Sequence, residues 1–384
     1  MFMELILWVC IVCILFSYVI YPVILTIVSR FFGKKPQSYE LLSDEELPNV
    51  TVIIAAYNEE KVIKDRVENL LQQDYPLEKL TIFIGSDGST DNTNNILSSF
   101  NEPQLQAFLF EMNRGKANVL NYLFEKAQDE IVVLSDANTN FESDAIKRLV
   151  CHFTDEKVGA VCGELNLYNP NKNDNKDNVY WKYEQFLKEK EAQLDALLGA
   201  NGAIYAIRTK LYVPIPKNTI VDDFLIVMNI AKAKYSIIYD KLALANEEIA
   251  PSINEESKRR VRIGTGNYQA FSNLLWALNP FIGWRFFTYF SHKVLRWFTP
   301  HFMVITFFIN ILLLGNIAYN ALFALQLLAY YSAYWGVKES KKGLKIPIPV
   351  AFLAFFVSMN FSLLKGFYQF AFKNVKGTWQ RTSR

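Results

Sequence analysis

This 384-residue chain has few cysteines, few histidines and little net charge. These features argue against a disulfide-stabilised protein, a Cys/His metal site and a nucleic-acid-binding protein. The four cysteines, Cys10, Cys13, Cys151 and Cys162, suggest no disulfide framework, which is consistent with a reducing compartment. Cys10 and Cys13 form a CxxC, but it lies in an apolar segment without a second pair or nearby histidines, so no metal or redox site is expected. A net charge of +2 gives no electrostatic reason to expect nucleic acid binding.

Apolar sequence is abundant instead, and its excess lies at the two ends of the chain. Residues 1–29 carry Glu4 as their only charge and are long enough to span a bilayer. They show no basic n-region and no small-residue cleavage site, so we expect a membrane anchor rather than a cleaved signal peptide. Arg30, Lys34 and Lys35 follow directly, and the positive-inside rule places the domain after them in the cytoplasm.

The C-terminal third predicts further membrane helices. Residues 271–298 mix aromatic and basic side chains, which predicts one or two amphipathic helices at the membrane interface. Residues 300–337 are almost uncharged and too long for one span, so we expect a helical hairpin that turns near Gly315 and Asn316. Residues 346–364 are a fourth candidate span, but both flanks are basic, so whether this segment crosses or re-enters stays open.

The expected organisation follows from these segments. It comprises a transmembrane helix (1–33), a linker (34–47), a soluble domain (48–270), interface helices (271–298), and transmembrane helices with a basic tail (299–384). Within the soluble domain, short β-branched apolar runs alternate with helical patterns, which predicts an α/β fold with a buried parallel sheet. The clearest strand predictions are residues 49–56, 80–85, 104–111, 130–134 and 158–167.

Polar residues follow the first two of these strands. Tyr57, Asn58 and Glu59 come after the first strand, and Asp87 follows the second. Open α/β sheets bind ligands at the carboxyl ends of their strands, so a site is expected there. The first motif, VIIAAYNEE (52–60), followed by SDGSTD (86–91), resembles the opening signature of family 2 glycosyltransferases.

This resemblance is closest to membrane-embedded members such as cellulose, hyaluronan and poly-N-acetylglucosamine synthases. It implies an inverting enzyme with a Rossmann-like GT-A domain in the cytosol and α-helical transmembrane segments. It also implies donor binding by residues of the two motifs: Ala55, Tyr57, Asn58, Glu59 and Asp87, with Asp87 contacting the base.

Two further segments extend the resemblance to the donor diphosphate. NRGKA (113–117) resembles the family's Gly-Lys-Ala segment, which implies Lys116 beside the diphosphate; a solvated surface lysine is the alternative. SDAN (135–138) lies where the family carries Asp-x-Asp. That position implies Asp136 as a ligand of the ribose and of Mg²⁺ or Mn²⁺, with Asn138 as an uncharged second metal ligand. A capping role is the alternative for Asp136.

Two later segments resemble the parts of the family that bind the donor sugar and supply the catalytic base. GANGA (199–203) resembles the small-residue segment that lines the donor-sugar pocket, which implies Asn201 and Gly202. TIVDDF (219–224) lies where the membrane synthases carry Thr-Glu-Asp. In that register Asp223 is the base that deprotonates the acceptor, and Asp222, in the glutamate position, is the lesser candidate. A pair of aspartates capping a helix is the alternative.

The last segment is EESKRRVRIGTG (255–266), which lies where the family carries Gln-x-x-Arg-Trp. The resemblance implies Arg259 and Arg262 at the donor, with Arg262 as a bidentate diphosphate ligand. A lipid-headgroup contact is the alternative for these arginines. Ile263 takes the tryptophan position and cannot stack on an acceptor sugar, which weakens the case for a long polymer product.

The resemblance therefore implies transfer of a sugar from a nucleoside-diphosphate donor, most simply a UDP-sugar. We expect a lipid-linked or growing glycan acceptor in capsule, exopolysaccharide or cell-envelope synthesis, in a bacterial-type inner or plasma membrane. A processive synthase that secretes its own polymer is one alternative. An alternative of another class is a non-catalytic nucleotide-sugar-binding subunit of a synthase complex, because Asn138 and Ile263 depart from the family pattern.

Overall fold

The structure is a computed structural model that describes residues 1–34, 40–168, 177–248 and 253–373, without the side chains of 177–179 and 253–256. Part of the expected linker (35–39) and the expected basic tail (374–384) lie outside the described residues. The strands are β1 (Val50–Ala56), β2 (Leu80–Asp87), β3 (Leu105–Phe110), β4 (Ile131–Asp136), β5 (Thr139–Phe141), β6 (Val158–Tyr168), β7 (Tyr205–Arg208) and β8 (Ser236–Glu248).

Long helices stand at both ends of the chain and shorter ones between the strands. They are α1 (Phe2–Phe32), α2 (Ile63–Leu71), α3 (Thr93–Ser99), α4 (Lys116–Lys126), α5 (Ala145–Cys151), α6 (Asp177–Gln193), α7 (Asp222–Lys232), α8 (Ile253–Asn273), α9 (Trp284–Leu312), α10 (Ile317–Lys341) and α11 (Ile348–Phe372).

The eight strands form one sheet in the order β3-β2-β1-β4-β7-β6-β8-β5. Strands β3, β2, β1 and β4 are parallel neighbours, whereas β7 runs antiparallel to both β4 and β6. Every residue of β1 is buried, which explains its unbroken apolar sequence. Ala55 pairs with Gly85 of β2 and with Asp136 of β4, so these three strands end at the same edge of the sheet. The predicted α/β class is confirmed.

Among the described residues, three helices are long and apolar enough to cross a membrane: α1, α9 and α11. The sequence had predicted four spans; α10 occupies the second half of the expected hairpin but does not reach this level of hydropathy. The expected interface helices also differ, because residues 284–298 belong to α9 and continue without a break to Leu312.

The basic residues at the start of α9 explain this difference. Arg285 donates hydrogen bonds to the backbone carbonyls of Ala231 and Asp195, and Arg296 binds Glu184 at 2.5 Å. Both arginines contact the soluble domain. The basic residues of 271–298 therefore serve packing within the protein, in addition to any contact with the membrane surface. Burial of such charges is tolerated because each one has a partner.

Polar side chains also join α1 to the soluble domain. The Tyr21 hydroxyl donates to Glu191 Oε1 at 2.7 Å, and His292 Nδ1 lies 2.5 Å from the same oxygen. Glu191 and His292 are both buried. This junction fixes α1 and α9 against α6, and through α6 against the sheet.

The last helix, α11, packs against α8, which carries the candidate diphosphate arginines. A Cβ on Gly366 would lie 2.7 Å from the backbone of Gly264 and of Thr265, so only glycine permits this approach. Thr265 Oγ1 also lies 3.2 Å from Gln369 Oε1. Arg260 places its guanidinium 5.1 Å from the ring centre of Phe355. A candidate membrane helix thereby sets the position of α8.

Candidate active site

The loops after β1 and β2 are joined by hydrogen bonds between their polar residues. Asn58, with φ of +56°, accepts a bond from the Thr90 amide through its side chain at 2.7 Å. The Glu59 amide donates to Thr93 Oγ1 at 2.9 Å. Asparagine tolerates this left-handed conformation better than most residues. These contacts show that the motif residues Asn58 and Glu59 shape the edge of the sheet, while Ala55 is buried in the core.

Asp87, expected to contact the donor base, is fully buried at the end of β2. Its carboxylate accepts hydrogen bonds from the backbone amides of Arg114 at 2.7 Å and Gly115 at 2.8 Å. Gly115 has φ of +89°, which favours glycine, and it immediately precedes Lys116. The Asp87 carboxylate therefore holds the turn that begins α4, and its contact with a base stays a prediction.

We expect Asp87→Ala to destabilise the protein by about 3 kcal/mol, because two backbone amides lose a charged acceptor. This should lower the midpoint of thermal unfolding by roughly 5–10 °C. Asp65→Ala, on the exposed side of α2, is the matched control and should leave the midpoint unchanged. A midpoint for Asp87→Ala equal to that of the control would contradict the anchoring role.

Lys116 brings three elements together at the carboxyl edge of the sheet. Its ammonium lies 2.8 Å from Asp136 Oδ1, at the end of β4, and 3.3 Å from Asp222 Oδ2, at the start of α7. The lysine side chain is only 17% exposed. Burial opposes its charge, but the two carboxylates more than offset this, so the pKa of Lys116 lies above its ordinary value. Residues far apart in sequence thus form one charged cluster.

Asp223 borders this cluster, and the pKa of its carboxyl group is raised. Burial raises the pKa of Asp223 to about 6, and the negative charge of Asp222 adds to the rise, whereas Lys116 opposes it. A carboxylate with a pKa near neutrality is suited to accept a proton at physiological pH. The geometry therefore supports a division between Asp222, which pairs with Lys116, and Asp223, which does not share that short contact.

The small-residue segment meets Asp223 directly. A Cβ on Gly202 would lie 3.3 Å from Asp223 Oδ2, so glycine leaves space in front of the carboxylate. Asn201 is engaged elsewhere, since its Nδ2 donates to the Gly163 carbonyl at 2.8 Å and its Oδ1 accepts from Lys188. Gly202 thus adjoins the charged cluster, while the Asn201 side chain fixes the strand beside it.

Arg262 approaches the same cluster from α8. Loss of surrounding water lowers the pKa of Arg262, and the charges of Asp222 and Asp136 act in the opposite direction. Part of its side chain remains exposed, as does that of Arg259, whose positive charge also lowers the pKa of Arg262. Arg262 is thus an exposed cation within electrostatic reach of the cluster, and its guanidinium is suited to bind an anion.

Arg66 is a site residue that the sequence motifs did not identify. Its side chain is 1% exposed on α2, and its guanidinium donates to Ser135 Oγ at 2.9 Å and to Asn69 Oδ1 at 2.5 Å. Ser135 in turn donates to the Ala203 carbonyl at 2.8 Å, so Arg66 supports the Asp136 turn and the Gly202 segment together. The sequence could have indicated that Arg66 is buried, because it lies between Ile63 and Leu70 on the apolar face of α2.

Asp136 and Asn138 carry the oxygen atoms that Mg²⁺ or Mn²⁺ prefers. The Asp136 side chain is 34% exposed, and the amide nitrogen of Asn138 is buried with no hydrogen-bond partner in the described structure. A metal ion would bind the amide oxygen of Asn138, and the nitrogen without a partner is a donor that an anionic ligand such as a diphosphate could use. The described residues contain no group of three or more His, Cys, Asp or Glu side chains placed to hold a metal ion. The pair therefore fits a cation that takes its remaining ligands from a diphosphate and water.

Comparison with known proteins agrees with this geometry. Residues 51–211 match the family model described as glycosyl transferase family 2. The chain is 27% identical over 250 residues to a poly-beta-1,6-N-acetyl-D-glucosamine synthase of Staphylococcus aureus, covering 62% of this chain and 58% of that protein. It is 26% identical over 273 residues to the synthase of the same name in Staphylococcus epidermidis, covering 67% and 64%.

Among solved structures, the mannosyltransferase PcManGT from Pyrobaculum calidifontis, in complex with GDP-Man and Mn²⁺, is similar with a TM-score of 0.72. The two share 19% sequence identity, and the similarity covers 97% of this chain and 99% of that one. The sheet and the charged cluster at its edge thus belong to the GT-A fold, and residues 51–211 match a glycosyl transferase family 2 domain.

The chain is related to the staphylococcal synthases, as the resemblance predicted. Its match spans less than two thirds of their length, 58% and 64%.

Proposed function

We propose that this chain transfers a sugar from a UDP-sugar to a lipid-linked or growing glycan acceptor at the cytoplasmic face of the membrane. The observation that carries the proposal is the contact of Lys116 with both Asp136 and Asp222, beside Asp223, at the carboxyl edge of the sheet. The relatives, whose names describe a synthase of an N-acetylglucosamine polymer, support a glycan product.

Asp223 acts as the base in this proposal. It takes the proton from the acceptor hydroxyl while the oxygen attacks the anomeric carbon from the face opposite the diphosphate, so the anomeric configuration inverts. The space that Gly202 leaves in front of Asp223 Oδ2 admits the reacting sugar. Asp222 is a positioning residue, because its carboxylate is engaged with Lys116.

The donor diphosphate binds between Lys116 and Arg262. Lys116 is the first residue of α4, where unpaired backbone N–H groups and the helix dipole favour an anion. Arg262 adds a planar guanidinium that matches phosphate oxygens. Asp136 and Asn138 would hold Mg²⁺ or Mn²⁺, which when bound supplies charge neutralisation to the diphosphate and stabilises the UDP leaving group.

The acceptor approaches beside α7. A cavity of about 170 Å³ lies between the segment that precedes Asp222 and helices α8 and α11. Val221 and Leu225 line it from α7 and its approach, Gln269 from α8, and Phe370 from the candidate membrane helix α11. A lining shared by the base segment and a membrane helix suits an acceptor that is anchored in the bilayer.

The first test is UDP release by the full chain in detergent with Mn²⁺ or Mg²⁺ and a panel of UDP-sugars. We expect release with one sugar, and a single-sugar product rather than a ladder of long chains. Calorimetric titration with UDP is the control for an intact donor site. Bound UDP without release from any sugar or added lipid acceptor would contradict the proposal and favour a nucleotide-sugar-binding subunit.

The pKa of Asp223 predicts how the rate depends on pH. Burial raises this pKa to about 6, and the base works only when ionised, so activity is present above pH 6 and lost below it. We expect kcat to fall about tenfold per pH unit below 6 and to be level between 7 and 8. A kcat that stays constant from pH 7 down to pH 5 would contradict this assignment.

A further inference from the structure

A cation of the protein itself already contacts Asp136, the carboxylate of the candidate metal site, and also the neighbouring Asp222. Lys116 Nζ is 2.8 Å from Asp136 Oδ1 and 3.3 Å from Asp222 Oδ2. Asp222 has a side chain only 8% exposed, so water screens this contact poorly. The lysine therefore neutralises part of the charge that would otherwise attract a divalent ion.

The contact also involves the atom that a metal would need. A divalent cation binds carboxylate oxygens at about 2.1–2.6 Å, so on Asp136 Oδ1 it would lie against the Lys116 ammonium. Two like charges at such a distance repel each other strongly where water is scarce. The ammonium must leave Asp136 before a metal ion can bind the same oxygen.

The chain offers few other ligands to overcome this repulsion. Besides Asp136, the turn provides the amide oxygen of Asn138, and no group of three or more His, Cys, Asp or Glu side chains in the described ranges is placed to hold a metal. A diphosphate changes both the shortage of ligands and the repulsion by Lys116. It supplies oxygen ligands to the metal ion and a new anionic partner to the lysine. The flexible four-carbon stem of lysine permits such a move.

We propose that Lys116 occupies the metal site of the donor-free protein, so that a divalent cation binds only together with a nucleoside diphosphate. On donor binding, the ammonium moves from Asp136 to the diphosphate and the metal takes its place. This inference rests on the proposed function and adds an order of binding to it. As a consequence, the protein without a donor does not hold a metal ion at Asp136.

The test is direct binding of Mn²⁺ to the full chain in detergent, followed by the electron paramagnetic resonance signal of free Mn²⁺. Without nucleotide, we expect Lys116→Met to bind Mn²⁺ at least tenfold more tightly than wild type. Lys116→Gln, a second neutral variant, should do the same, and Lys116→Arg, which keeps the charge, should resemble wild type. Lys126→Met, at the exposed end of α4, is the matched control and should also resemble wild type.

Addition of UDP should raise the Mn²⁺ affinity of wild type at least tenfold and that of Lys116→Met much less. Equal Mn²⁺ affinity of wild type and both neutral variants without UDP, in the presence of a normal UDP effect on wild type, would overturn this inference and leave the proposed function intact. Absence of Mn²⁺ binding in every protein, with and without UDP, would overturn the inference and the metal-dependent function together.

Discussion

Asp223→Asn should lower kcat by about 10²–10⁴-fold while UDP affinity stays within about twofold of wild type. The substitution keeps the size of the side chain and removes its ability to accept a proton, and general-base catalysis contributes about 10²–10⁴ in rate. Because Asp223 does not share the short contact with Lys116, the donor site should remain assembled. UDP release under saturating donor measures the first quantity, and calorimetry measures the second.

Asp222→Asn is the matched control for this experiment. Asp222 is the adjacent residue and has the same side chain, but its carboxylate is 3.3 Å from the Lys116 ammonium. We expect its substitution to weaken donor binding and to lower kcat far less than Asp223→Asn does. The reverse order, with the larger loss of kcat in Asp222→Asn, would assign the base to Asp222.

Asp136→Ala should weaken Mn²⁺-dependent UDP binding at least about hundredfold. A metal ion contributes several kcal/mol to stabilising a diphosphate, and each 1.4 kcal/mol is a factor of ten. The same substitution frees Lys116 from its 2.8 Å contact, so metal-independent UDP binding should persist. Calorimetry with UDP, with and without Mn²⁺, separates the two contributions.

The control for Asp136→Ala is Asp144→Ala. Asp144 directly precedes α5, and its carboxylate pairs with Arg148 one turn later at 2.7 Å. It should bind UDP as wild type does in the presence of Mn²⁺. If Asp136→Ala showed the same Mn²⁺ effect as Asp144→Ala, the metal would bind elsewhere.

The buried sheet was predictable because its strands have a strong local signal. β1 was expected at 49–56 and is found at Val50–Ala56, since a β-branched run that is buried on both faces has no polar interruption. The order of polar motifs after β1, β2 and β4 also predicted that they share one edge, which the pairing of Ala55 with Gly85 and Asp136 bears out. Parallel strands ending together are sufficient for that inference.

The contacts of individual side chains were not predictable in the same way. Asp87 was expected to contact the donor base, which stays a prediction, but the sequence did not indicate that its carboxylate also binds the backbone of Arg114 and Gly115. The motifs did not identify Arg66, which lies in a helix with several other charged residues, although it supports the Asp136 turn by a hydrogen bond to Ser135. Such roles depend on which elements meet across the fold, and a motif records only residue type and spacing.

The membrane end was the least predictable part. Residues 271–298 were expected to form amphipathic helices at the membrane interface, but Arg296 pairs with Glu184, which lies more than 100 positions earlier in the chain. Hydropathy predicts whether a segment favours water or lipid, but it does not predict which other residues of the protein the segment contacts. The structure instead has one continuous helix over Trp284–Leu312.

The stereochemistry of the transferred sugar tests the central claim most directly. If one carboxylate, Asp223, activates the acceptor for direct displacement of UDP, an α-linked UDP-sugar must give a β-linked product. Nuclear magnetic resonance of the anomeric proton in the isolated product, made with the donor that UDP release identifies, reads this outcome. We predict a β linkage. An α linkage would mean net retention, and would contradict a single displacement with Asp223 as its base.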